Sequence, residues 1–420
     1  MRIAVIGAGI AGMATAWLLR DRHEVVLFEA EERAGGHADT QEVELDGRRV
    51  TVDTGFIVYN ETNYPHLTAL FAELGVATEA SEMSFAVSRD GGALEYGGGD
   101  LRQLFAQKRN ALSPRFWGMV RDVLRFWREA PALLADGADE RTLGAWLDDG
   151  SYGRAFIEDH ILPMGAAIWS ASVDGMRAFP ARHFVRFFHN HGLLRLSDRP
   201  AWRTVTGGSR RYVERLTASL ADVRLGCAVR AVVRDAAGVM VHAAGEERFD
   251  AAVLACHAPQ ALALLAAASA DERAILGAIK GQPNRAVLHT DASLMPRRRG
   301  AWSAWNYLGE GRASHRKQIA VTYWMNRLQN IPGEDLFVTL NPTREPRGVL
   351  LERTYSHPQF DRAAMAAQAR LPEIQGNGGV YFAGAWTGWG FHEDGIASAV
   401  RVAERLGMAA PWRAAERVAA

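Results

Sequence analysis

Gly7-Ala8-Gly9-Ile10-Ala11-Gly12 is reached directly from a short apolar strand, and Glu29 closes the next apolar run, Val25-Val26-Leu27-Phe28. A strand, a glycine turn, a helix and a second strand ending in an acid make a βαβ unit that takes a dinucleotide. Gly7 permits the tight turn, Gly9 lets the backbone approach a pyrophosphate, and Gly12 lets the helix pack on the sheet. The N–H groups at the helix start, around Ala11, then face the phosphates. Glu29, with Ala30 beside it, accepts hydrogen bonds from a ribose diol. Its charge repels a 2′-phosphate, which argues against NADP.

The next segment separates NAD from FAD. Arg33-Ala34-Gly35-Gly36-His37-Ala38-Asp39-Thr40 leads through a hairpin-like stretch to Val52-Asp53-Thr54-Gly55-Phe56-Ile57-Val58. A second glycine pair just past the ribose acid suits a longer cofactor whose ring travels further along the protein. The chain here resembles the flavin amine oxidase and desaturase superfamily, with its RxGG element after the βαβ unit. The resemblance implies FAD, with Glu29 on the adenosine ribose and Arg33, Gly35, Gly36 and His37 along the diphosphate and ribityl path. It brings Thr54, Gly55, Phe56, Ile57 and Val58 to the flavin. Many members carry Arg where this chain has His37. At the other end, Val380-Tyr381-Phe382-Ala383-Gly384 and the helix start at Gly395-Ile396-Ala397-Ser398 resemble the family's C-terminal flavin motif. Gly384, Ala385, Gly395, Ile396 and Ser398 are thereby implied in cofactor binding, with Ala385 replacing the usual acid.

Composition bounds the rest. At 420 residues the chain exceeds one typical domain, so two are expected. Its 48 basic and 48 acidic residues balance, which leaves no electrostatic footprint for nucleic acid. Cys227 and Cys256 fit a reducing compartment and lack CxxC or metal-ligand spacing, so no metal is expected. No signal-peptide pattern and no long apolar run occur, which points to a cytoplasmic protein, peripheral on the inner membrane face if it binds lipid. The Ala-rich stretch 408–420 reads as a terminal helix or a frayed tail.

The flavin motifs divide the chain. An α/β, Rossmann-like FAD domain of amine oxidase type is expected over 1–88, 204–282 and 370–420. Val229 holds the adenine by family resemblance. The insertions 89–203 and 283–369 combine into a mixed α+β substrate domain. In the first, Trp117, Val120, Leu124 and Trp127 recur at helical spacing, with Arg121, Arg125 and Arg128 on another stripe. Such a helix either lies on an anionic bilayer or buries one face in the domain. Arg210-Arg211 and Arg297-Arg298-Arg299 read as solvated loops. The second insertion reads as strands around 286–290, 301–307, 319–324 and 336–340, whose aromatics, Trp305 and Tyr323 foremost, line an apolar tunnel or fill a core.

Longer segments, among them 53–60, 190–194, 199–205, 289–291 and 322–326, are similar to the flavin oxidase domain fused to plant cyclopropane fatty acid synthases. They are also similar to its stand-alone bacterial relatives, including flavin desaturases of the furan fatty acid route. That resemblance implies an unsaturated fatty acyl chain of a phospholipid as substrate and a lipid methyltransferase as partner. An oxidised flavin takes a hydride most readily from an allylic carbon held ~3–3.5 Å away, and a base must take a proton. His191 and Tyr323 are the leading candidates, with His257, His289 and His392 behind them. The segment 282–287 lacks the lysine of many amine oxidases, and Lys280 is expected off the strand. Amine oxidation, redox-neutral double-bond isomerisation and a non-catalytic lipid-holding role stay open as alternatives.

Overall fold

The computed structural model describes residues 1–45, 47–135, 139–195, 197–309 and 319–412. A five-stranded parallel sheet runs in the order Asp222–Arg224, Glu24–Phe28, Arg2–Ile6, Ala251–Leu254, Val380–Phe382. Helices cover one face and a three-stranded antiparallel sheet, Ala231–Asp235 to Glu246–Phe249, covers the other. Burial on both faces is why these strands read as unbroken apolar runs. The helix Ile10–Leu19 is buried along its whole length and packs beside the closing helix His392–Arg405.

A seven-stranded sheet forms the second layer. Its order is Val349–Pro358, Gly281–His289, Phe337–Leu340, Ala320–Trp324, Trp305–Gly309, Phe85–Arg89, Leu94–Gly97. The strand Phe85–Arg89, most of it in the segment 1–88, pairs in parallel with Trp305–Gly309 and antiparallel with Leu94–Gly97, so strands of both insertions share one sheet with it. The helices Pro114–Glu129, Leu162–Trp169 and Ala181–Asn190 lie against it around the largest apolar cluster.

The expected strands of the second insertion are present, with edges moved by a few residues. The longest strand, Val349–Pro358, was not foreseen; its burial is partial along most of its length, and no apolar run marks it. The helix expected around Trp117, Val120, Leu124 and Trp127 is α-helical over Pro114–Glu129 and continues as a 3₁₀ turn, with Pro131 inside it. The hairpin Thr40–Leu45/Arg48–Asp53 confirms the stretch before the flavin-facing loop. The arginine runs are anchors rather than free loops. Arg298 pairs with the fully buried Glu95, Arg299 with Asp335, and Arg210 with Glu42. Of the Ala-rich end, residues 413–420 lie outside the described residues.

Candidate active site

One cavity of about 1100 Å³ runs from the first glycine turn to the seven-stranded sheet. Its nucleotide end is made by backbone. The helix Ile10–Leu19 starts at Gly9 with no side-chain cap, so its first N–H groups open into the cavity. A Cβ at Gly9 would meet nothing within 4 Å, whereas one at Gly12 would stand 1.8 Å from the Gly7 carbonyl oxygen. Gly9 thus leaves space and Gly12 allows contact. Glu29 closes the next strand and accepts from the N–H of Ala8 at 2.7 Å and of Glu31 at 3.0 Å, which fixes its carboxylate beside that turn. Uncapped donors, open space above a glycine and a held acid fit the diphosphate and ribose of FAD.

Of the residues assigned to the cofactor from sequence, Gly7, Gly9, Ala11, Glu29, Ala30 and Val229 line this end. Gly35, Gly36, His37, Thr54, Gly55, Phe56, Ile57, Gly384 and Ala385 line the middle. Five stand behind the wall. Arg33 turns away from the cavity and donates to the carbonyls of Gly36 (2.9 Å) and Ala38 (3.3 Å), so it holds the glycine turn from behind. Gly12 and Gly395 are contact points between backbone elements, and Ile396 is fully buried. Ser398 accepts from the Gly384 N–H at 2.9 Å and donates to the Gly395 carbonyl, tying the closing strand to its helix.

His37 sits among His257, His357 and Tyr355, with ring centroids 5.8, 5.4 and 5.1 Å away. Burial and the neighbouring histidines push its pKa well down. Among the described residues, Arg199 is the only Lys or Arg lining the cavity. The helix start, rather than a side-chain cation, therefore meets the diphosphate charge. His392 stacks on Phe56 at 3.8 Å and lies 2.9 Å from the Tyr212 hydroxyl; burial drops it to about 3. Burial raises the Cys256 thiol to about 12, so it is not a thiolate nucleophile.

The far half of the cavity is an apolar chamber. Met119, Val123 and Phe126 come from Pro114–Glu129, Phe187 and Phe188 from Ala181–Asn190, and Trp305 and Tyr323 from the sheet. Trp305 and Tyr323 meet edge to face at 4.8 Å. The Tyr323 hydroxyl has no hydrogen-bond partner among the described residues, and burial raises its pKa, so it is a neutral donor. His191 stacks on Phe187 at 3.8 Å, and its Nδ1 lies 2.9 Å from the Phe187 carbonyl oxygen. A carbonyl only accepts, so Nδ1 carries the proton and Nε2 keeps its lone pair. Burial brings His191 to about 4.

The structure separates the other candidates. His289 lies in the sheet, accepts from the Asp291 N–H at Nδ1 and donates from Nε2 to Thr339; it does not line the cavity. Lys280 is exposed and precedes the strand Gly281–His289. A residue pair that sequence reading missed is Tyr96 and His160. Tyr96 donates to the Asp159 carbonyl at 2.7 Å, and its oxygen lies 3.0 Å from His160 Nδ1. Both line the chamber, and His160 sits on a π-helical turn, Ile157–Ile161, buried and brought to about 4. The nearby Asp159 is held by Arg89 at 3.0 Å. No local spacing rule marks a lone histidine as part of such a turn.

Comparison with known proteins agrees with this geometry. The profile of the flavin containing amine oxidoreductase family matches residues 10–292. A Mycobacterium tuberculosis protein assigned as a flavin-containing monoamine oxidase is 30% identical over 248 residues, covering 57% of this chain and 53% of that protein. The chain thus spans about half the length of the curated relatives it matches. Cyclohexylamine oxidase from Brevibacterium oxydans superimposes with a TM-score of 0.69 at 16% identity, covering 97% of this chain and 99% of that one. A CLA-producing fatty acid isomerase from P. acnes gives a TM-score of 0.66 at 16% identity, covering 96% and 98%. At such identities the likeness is one of fold.

Proposed function

Because the chain belongs to the flavin-containing amine oxidoreductase family, an FAD-dependent class of oxidoreductase, we propose that it oxidises the unsaturated acyl chain of a fatty acid or phospholipid at an allylic carbon. The chamber wall is the observation that carries this reading. Among the described residues, the acids lining the cavity are Glu29 and Glu31 at the nucleotide end and Asp100 at the mouth, and none of these stands among Phe187, Trp305 and Tyr323 to pair with an ammonium group. An alkyl chain needs no polar partner there, and aromatic and aliphatic walls hold it. The fatty acid isomerase of the same fold adds support, and the resemblance read in the sequence to cyclopropane synthase flavin domains implies the same substrate class.

FAD, held at the helix start by Gly9 and Ala11 and beside Glu29, would supply the hydride acceptor when bound, with oxygen, reduced to hydrogen peroxide, as the final oxidant. The substrate loses a hydride from the allylic carbon and a proton from the vinylogous one, and a monoene becomes a conjugated diene. The chain's own part is to exclude water, to hold the acyl segment between Phe187, Trp305 and Tyr323, and to take the proton. His191 is poised to take it at Nε2, because its other nitrogen is committed to the Phe187 carbonyl. Tyr323 donates and positions rather than accepts.

The test is incubation of the FAD-loaded protein with monounsaturated phospholipid in air, where conjugated-diene absorbance and oxygen uptake must rise together. Product with shifted double bonds but no oxygen uptake would replace the reading by isomerisation, and peroxide formed only with amines would replace it by amine oxidation. Lipid bound but unchanged would leave a holding role beside a lipid methyltransferase. A pH profile adds a second check. His191 must be neutral to accept a proton, so kcat should be flat from about pH 5.5 to 8 and fall as pH drops through about 4. His191→Phe should lose ~10²–10⁴-fold in kcat and abolish that acidic limb. A retained limb in the variant removes His191 from the reaction.

A further inference from the structure

The chamber opens where the loop Gly97–Leu101 meets the helix Pro114–Glu129. Leu101, Leu104, Val120, Leu124 and Trp127 are both its rim and its wall. Four large apolar side chains stand exposed in this one stretch: Leu101 at 73%, Leu112 at 87%, Trp117 at 49% and Leu124 at 51%. They form a built surface rather than loose ends. Trp117 lies 5.6 Å from the Phe105 ring, and its indole N–H donates to the Ala111 carbonyl at 2.9 Å. An exposed apolar patch continuous with an apolar cavity is the mark of an interaction face.

Charge gathers at the same place. Residues 100–129 hold seven Lys and Arg against three acids, in a chain whose charges cancel overall. Of the three, Asp122 is buried with Arg121 3.5 Å away, Glu129 is tied to Arg125 and Arg128, and Asp100 caps a helix start. Arg102, Lys108, Arg121 and Arg128 are exposed around the apolar side chains. Arg125 is not among them. It lies over the Tyr152 ring and donates to Glu129 and to the Gly150 carbonyl, which corrects the expectation of one uniform arginine stripe on this helix. No helix of the described residues is long and apolar enough to cross a membrane.

We propose that this rim docks on an anionic phospholipid bilayer, with Leu112, Trp117 and Leu124 in the interface and Lys108, Arg121 and Arg128 against the headgroups. The use of such docking rests on the acyl-chain reading above; its test does not. Aromatic and leucine side chains ringed by flexible cations suit a headgroup layer. A mouth set in the interface also lets a chain enter without crossing water, where each exposed methylene would cost about fourfold in equilibrium.

The experiment is co-sedimentation of the FAD-loaded full chain with vesicles of equal parts phosphatidylglycerol and phosphatidylcholine, against pure phosphatidylcholine. Binding is expected to the mixed vesicles and to fall with salt. The double variant Lys108→Glu/Arg121→Glu should bind at least ~30-fold more weakly. The pair Leu112→Ser/Trp117→Ser should bind ~10-fold more weakly. None of these four residues lines the chamber, so flavin content and turnover of detergent-dispersed substrate should hold at the parental level. Equal binding to neutral vesicles, no binding to either, or an unmoved charge-reversal variant would overturn the proposal. So would a change of mass in light scattering with vesicle binding intact, which would assign the patch to a second copy of the chain. Vesicle binding without lipid oxidation would overturn the acyl-chain reading and leave the docking in place.

Discussion

A Gly12→Ala variant will be purified colourless. The added methyl would stand 1.8 Å from the Gly7 carbonyl oxygen and 3.2 Å from the Ala255 Cβ, so the helix Ile10–Leu19 must back away from the turn. Backbone cannot yield there as a side-chain tip would. Overpacking of this kind costs about 1–3 kcal/mol or more, and the same shift withdraws the N–H groups that meet the diphosphate. FAD affinity should fall at least ~100-fold, read by flavin absorbance per protein and by fluorescence titration of the apoprotein. Gly9→Ala separates binding from folding. Gly9 has φ −74° and ψ 179°, which alanine adopts freely, and its methyl would meet no protein atom within 4 Å. The apoprotein should melt within about 0.5 kcal/mol of the parent, yet FAD should bind ~10–100-fold more weakly because the methyl fills cofactor space. Full flavin content in Gly12→Ala would sink this account of the turn, and unchanged FAD affinity in Gly9→Ala would move the diphosphate elsewhere.

Asp53→Ala will cost about 3–5 kcal/mol, a large share of the ~5–15 kcal/mol that holds a typical domain. Asp53 is buried, and its carboxylate accepts from the Ser209 N–H at 3.0 Å, the Ser209 hydroxyl at 2.7 Å, the Thr40 hydroxyl and the Gln329 amide at 2.7 Å. Alanine leaves those donors buried with nothing to meet. The carboxylate joins three distant stretches of chain, and the next residues are Thr54, Gly55 and Phe56 in the cavity wall. Loss of stability should therefore bring loss of FAD. Asp53→Asn keeps the shape and part of the acceptor capacity, and should cost about half as much. A urea midpoint within about 1 kcal/mol of the parent would show that these bonds are replaceable by water.

The nucleotide end was legible because backbone dictates it. A turn that requires Gly12, an acid at the end of the following strand and a glycine-ended closing strand are local demands, and local demands leave local patterns. The chamber obeys no such rule. Its floor joins Phe85–Arg89 to Trp305–Gly309 across more than two hundred residues, and the Tyr96–His160 pair depends on a π-helical turn that no spacing announces. Trp305 and Tyr323 were legible as aromatics on strands expected to floor a cavity, though the sequence left tunnel and core filling open. His289 is fully buried in its own strand, where its Nε2–H donates to the Thr339 hydroxyl. Arg33 shows the converse: the motif placed it correctly beside the glycine turn, while its Asp39 and carbonyl partners draw it behind the wall.

The parallel sheet draws its strands from both extremes of the chain, Arg2–Ile6 at its centre and Val380–Phe382 at one edge. During synthesis at the ribosome's usual pace, about 20–80 s separate the appearance of those two strands. For the last ~6–25 s of that interval Ala251–Leu254 presents an unpaired apolar edge to the cell. Nor can the seven-stranded sheet settle early, since Phe85–Arg89 waits for Trp305–Gly309. Neither sheet can close until its late strands have emerged, and such non-local topologies fold slowly and stay open to aggregation while they wait. Cooler growth or added chaperones should raise the soluble yield of this protein more than added riboflavin does.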